Sequence, residues 1–177
     1  MGAKKDLFLA IQARIKTVVP QIKTVALQGG QLISRKTKRQ PIFFPCVLVK
    51  FSDIPYTDLA EGIQEGEVTL NIQVASEMIG LDVDSYSANQ AEALAFFDLQ
   101  EEVHIALQGF APTNCSPFLR SVDRQDDNFE KLYIFETSYK TLMKDASTAF
   151  SNQQEYVTVT SLEVEKDLEI TNNIIRL

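Results

Sequence analysis

The chain has one histidine, His104, and two cysteines, Cys46 and Cys115, and these three residues bound the catalysis it can perform. Glu101-x-x-His104 has the spacing that di-iron bundles place on one helix. Such sites use the motif twice and add glutamates from two further helices, which a single histidine cannot supply. The pair therefore reads as two ordinary helix residues. A Ser-His-Asp or Cys-His arrangement would draw on the same His104, and no G-x-S-x-G elbow presents a serine. Two cysteines 69 positions apart with one histidine do not make a zinc knuckle. The seven glycines form neither G-x-G-x-x-G nor a Walker loop. Asp82-x-Asp84-x-Tyr86 opens like a calcium loop, but the required glycine is missing and Ala93 stands where the last bidentate glutamate belongs. Acids just before a helix are favoured by its dipole, which explains them without a metal. The expectation is a protein that is not an enzyme, with no catalytic residue, cofactor or metal.

The strongest polar feature is the run Arg35, Lys36, Lys38 and Arg39, a candidate interaction site. Four cations in five residues suit phosphates or an acidic protein surface, and equally a plain exposed loop. No aromatic is interleaved, and the chain is acidic overall with a net charge of −7, which argues against a dedicated nucleic-acid binder. The distribution of that charge is uneven. Residues 1–50 hold ten Lys/Arg and one acid, Asp6, whereas residues 51–177 hold seven Lys/Arg and 23 acids. From Phe51 to Leu119 there is no Lys or Arg. Such asymmetry suits head-to-tail contacts, in which the basic face of one copy meets the acidic face of the next.

These residues must be carried by elements that the hydropathy pattern predicts. Leu7, Phe8, Ile11, Ile15, Val18 and Val19 recur at helical steps, which predicts a helix over Asp6–Val19 ended by Pro20. Thr24–Leu27 is a short strand, Gly29-Gly30 a turn, and Gln31–Ser34 the expected partner strand. Cys46–Phe51 is an apolar, β-branched strand, and Asp53–Gly66, with Pro55 and two glycines, is expected to be a loop. Glu67–Ala75 alternates cleanly: Val68, Leu70, Ile72 and Val74 face a core, while Thr69, Asn71 and Gln73 face water or a partner. A second helix is expected over Ala88–Gln108, opened by a Ser87/Gln90 capping box and stopped by Gly109. Leu119–Val122 and Leu132–Leu142 form a hairpin with its tip at Asp123–Asn128.

Hydrophobic residues at 45% and charged residues at 23% are ordinary for a globular chain of 177 residues, which needs no disulfide to fold. Met1–Ala10 reads as part of an amphipathic helix rather than a signal peptide, and no apolar run is long enough to span a membrane. A reducing compartment is expected for both thiols, and the Asn114-Cys115-Ser116 sequon then carries no meaning. The order helix, strands, helix, strands predicts an α+β fold: a mostly antiparallel sheet with two helices on one face. Residues 1–144 are expected to form this domain. Residues 145–177 form a C-terminal extension: a polar linker, then an alternating stretch with Val157, Val159, Leu162 and Val164 that has strand character.

The helix Asp6–Val19, strands with a basic loop, the long strand Glu67–Ala75, the helix Ala88–Gln108 and the closing hairpin Leu119–Leu142 together resemble the tail-terminator and head–tail joining proteins of long-tailed bacteriophages. The resemblance covers residues 4–142 and lies in the order, length and character of the elements. It implies a structural virion protein without catalysis or cofactor, found in the virion or the bacterial host cytoplasm. Its implied partners are its own copies in a ring, a hexamer in that family, the tail tube and the head–tail connector. DNA would pass through the ring without sequence-specific binding. No family residue carries over by motif. The alternative is a non-viral bacterial adaptor domain that binds a charged protein partner.

Overall fold

The computed structural model describes residues 2–32, 42–60, 62–77, 86, 88, 90–126 and 132–149. In chain order the elements are α1 (Ala3–Val18), β1 (Thr24–Leu27), β2 (Cys46–Phe51), β3 (Tyr56–Ala60), β4 (Ile63–Glu77), α2 (Gln90–Leu107), β5 (Leu119–Asp126) and β6 (Leu132–Asp145). The strands make one six-stranded sheet in the order β1-β2-β4-β6-β5, with β3 also paired to β4. Every pair is antiparallel except β1 with β2. The fold is α+β, as the element order predicts.

Both helices cover one face of the sheet. Leu7, Ile11 and Ile15 of α1 and Leu99, Val103 and Leu107 of α2 join Val47, Val49, Val68, Leu70, Ile72 and Val74 in the main core. Each such side chain contributes roughly 1.5–3 kcal/mol on burial. Alternation in β4 is as expected, but the strand is longer than Glu67–Ala75. It pairs with β6 continuously from Gln64↔Asp145 to Glu77↔Leu132, so ladder hydrogen bonds carry it past the apolar run.

Several sequence expectations are corrected. Thr24–Leu27 pairs with β2 in parallel, and the two described residues of its expected partner Gln31–Ser34 form no strand. Gln31 and Leu32 lie in a turn instead. Gly30 has φ +75° there, and the Gln31 side chain bonds back to Leu27 O and Gly29 N. Ile33 and Ser34 lie outside the described residues. Asp53–Gly66 is not a loop: it holds β3, a turn at Gly62 (φ +81°) and the start of β4. β3 gives no hydropathy signal because every one of its residues is exposed, and backbone pairing to β4 holds it, with the Gln64 amide also donating to Asp58 Oδ1 at 2.7 Å. The strand β5 runs on through Asp126, into the stretch Asp123–Asn128 expected as the hairpin tip, because charged residues are tolerated on an edge strand. The helix α1 begins three residues earlier than expected, at Ala3. The α2 cap at Ser87 lies outside the described residues, and Gly109 (φ +74°) ends the helix.

A parallel β1–β2 pair needs a crossover rather than a tight turn. The two described ends of that crossover lie under the helix-free face. Leu32, Ile42 and Phe44 pack there against Cys46, Leu48, Ala75, Leu132 and Ile134. After β6 the chain turns, with the Ser147 N–H donating to Asp145 Oδ1 and the Thr148 hydroxyl to Gly62 O. The rest of the extension predicted to form a strand, residues 150–177, lies outside the described residues.

Candidate interaction surfaces

His104 sits on the inward flank of α2, with Nδ1 3.0 Å from the hydroxyl of Tyr139 on β6 and the two rings stacked 6.1 Å apart. Glu101, three residues earlier, is exposed. The Glu101-x-x-His104 spacing, read from sequence as two ordinary helix residues, thus places one side chain in solvent and the other half-buried against β6. Among the described residues no three His, Cys, Asp or Glu side chains gather as a metal site would require. Asp82 and Asp84 lie outside the described residues. Burial raises the Tyr139 hydroxyl well above its usual range, with Asp123 adding to the effect, so it stays neutral.

Both cysteines are free. Cys46 is fully buried, which pushes its thiol up to about 12. Burial also raises Cys115. Cys46 pairs with Ala75 at one end of β4, whereas Cys115 bridges to Met143, whose β4 partner is Gly66. Nine strand positions correspond to roughly 30 Å, far beyond the ~7 Å that a disulfide spans between Cα atoms.

The helix-free face carries a polar row that crosses the sheet. Gln28 Nε2 donates to Gln73 Oε1 at 2.9 Å, and Gln73 Nε2 donates to Glu136 Oε2 at 2.8 Å. Arg124 on β5 pairs with the other oxygen of Glu136. The Glu136 carboxylate is only 6% exposed, whereas Arg124 stays largely in solvent. In the next row the Ser138 hydroxyl donates to Asn71 Oδ1 at 2.9 Å. Asn71 and Gln73 were legible as the polar side of an alternating strand; their partners on β6 and β5 were not. Further along the same face lies a groove of about 420 Å³, with Pro55, Pro117, Leu119 and Leu142 as apolar walls and Glu67 and Lys140 among its polar residues. Leu119 is 58% exposed, which is unusual for a strand leucine.

The predicted contact residues Arg35, Lys36, Lys38 and Arg39 lie outside the described residues. The chain that flanks them, at Leu32 and Ile42, is anchored beneath the helix-free face.

The helical layer divides by charge. The helix α1 carries Lys4, Lys5, Arg14 and Lys16, while α2 carries Glu92, Asp98, Glu101 and Glu102 and no Lys or Arg. Arg14 is engaged within the chain: its Nε–H donates to Ala106 O at 2.9 Å and its guanidinium lies 5.4 Å from the Phe110 ring centre. Among the described residues no helix is long and apolar enough to cross a membrane. No family model matches the chain, and no curated protein matches it either.

Proposed function

We propose that the chain is a structural component of a phage or prophage virion that assembles with its own copies into a ring at the head-proximal end of the tail, as a tail terminator or head–tail joining protein. The observation that carries this reading is the architecture: one sheet with two helices on a single face, in the order helix, strands, long strand, helix, closing hairpin. The charge division between α1 and α2 supports it, because a repeating contact between copies needs two unlike faces on one molecule. In this reading the basic half of one copy meets the acidic half of the next. The Arg35–Arg39 run and the β3–β4 hairpin then face the tail tube or the connector, and DNA passes through the ring unread.

Native mass spectrometry and negative-stain microscopy of tails with the protein added test the reading. Rings in solution or at tube ends are expected. A monomer at every concentration, together with bare tube ends, would overturn it.

The groove beside Leu119 and Leu142 favours a second reading. Apolar walls with both charge signs in the lining suit an extended segment of a charged protein partner, as in an adaptor domain. Neighbouring genes for capsid, portal or tape-measure proteins favour the first reading, and their absence favours the second.

A further inference from the structure

The outermost side of α2, opposite its core-facing Phe96, Leu99 and Val103, is not the polar face a surface helix normally presents. Leu94, Phe97 and Ile105 are 40%, 49% and 62% exposed and fall at steps of three and eight residues, on one stripe. Asp98 and Glu101 rise from the same stripe. Neither carboxylate enters an ion pair among the described residues, and α2 offers no cation of its own. Phe97, on the flank of the stripe, lays its ring 5.3 Å from that of Phe135 on β6, so the outermost apolar residues are Leu94 and Ile105, the latter the most exposed. An apolar stripe bordered by unpaired acids fits a helix with an apolar centre and basic borders.

One such helix is on the same molecule. The outward side of α1 has Leu9, 44% exposed, and Ala13 at its centre, with Lys5 and Lys16 at its borders and a single acid, Asp6. It cannot reach the α2 stripe of its own chain, because α1 and α2 lie side by side in one layer with both stripes pointing away from the sheet. Resting on the self-assembly proposed above, we infer that the α2 stripe of one copy docks across the α1 stripe of a second copy, with Leu9 seated between Leu94 and Ile105 and with Asp98 and Glu101 reaching out to Lys5 and Lys16 on either side of it. The contact joins two different faces, so it can repeat from copy to copy.

A charge-swap exchange tests it, using full-length chains. One variant carries Lys5→Glu and Lys16→Glu; the other carries Asp98→Lys and Glu101→Lys. All four positions are exposed, so both variants keep the fold, which circular dichroism checks. Each variant alone is expected to associate about tenfold more weakly than wild type in sedimentation at low salt, and an equimolar mixture to recover wild-type association, since each acidic stripe then meets a basic one. In a Cys115→Ser background, Leu9→Cys in one batch and Ile105→Cys in another should cross-link only when the two are mixed. Association that survives both swaps unchanged, or a mixture that fails to recover, would remove this contact and leave self-assembly standing. A wild-type chain that is monomeric at every concentration would remove both.

Discussion

At the scale of single residues, burial decides protonation. Cys46 has an ordinary thiol pKa of 9.0 when unfolded and about 12 in the fold. A raised value means the folded state holds a proton that the unfolded chain releases. The stability this contributes is whole below pH 9 and is lost as pH climbs towards 12, at up to about 1.4 kcal/mol per pH unit. Tyr139, raised for the same reason, adds to the loss once unfolded tyrosine ionises near pH ~10. Urea midpoints of wild type and Cys46→Ala, measured from about pH 8 to about pH 11, should diverge in slope, with the variant shallower. Parallel curves would mean that Cys46 is not the group responsible. In native protein Cys46 should also resist alkylation at neutral pH while Cys115, only half-buried, reacts first. Mass spectrometry of the labelled peptides reads the order directly.

At the scale of elements, the helices depend on the sheet and the hairpin depends on one glycine. Ile11 is fully buried between α1 and the β-layer. Ile11→Ala should cost about 2–5 kcal/mol in urea unfolding, the range for a large-to-small change in a core. Gly66 on β4 pairs with Tyr56 of β3, and a Cβ there would stand 2.8 Å from Ile54 Cγ2 and from the Tyr56 ring. Gly66→Ala should therefore cost roughly 1–3 kcal/mol, with the loss appearing as faster hydrogen exchange in β3. Unchanged exchange would mean that Tyr56 simply swings aside. The ring of Tyr56 also lies 5.8 Å from Lys4 Nζ, so a shift there is felt at the start of α1.

At the scale of the whole molecule, charge is sorted by element. Assembly driven by α1-to-α2 contact should weaken as salt rises from about 50 mM to about 500 mM, because exposed charges are screened over a few ångströms at the higher strength. Replacing Arg35, Lys36, Lys38 and Arg39 with Ala should also weaken assembly on tails, most strongly at low salt, where the wild-type contacts are strongest. Assembly indifferent to that change at every salt concentration would remove the run from the contact.

Local pattern was enough for α1, α2, β2 and the core-facing side of β4, because their apolar residues recur at the period of the element itself. It was enough, too, to show how charge is divided along the chain and that one imidazole serves any chemistry proposed. What pattern could not reach was pairing. The parallel partner of β1, the wholly exposed β3 and the charged end of β5 exist because a neighbouring strand accepts their backbone hydrogen bonds. Only tertiary contact brings Gln28, Gln73, Glu136 and Arg124, from four separate strands or their ends, into one row. The same contact lays α1 and α2 in a single layer, with a basic-bordered stripe on one and an acid-bordered stripe on the other. Hydropathy is written residue by residue along the chain, whereas partnership between distant segments is decided only when the backbone closes its hydrogen bonds in space.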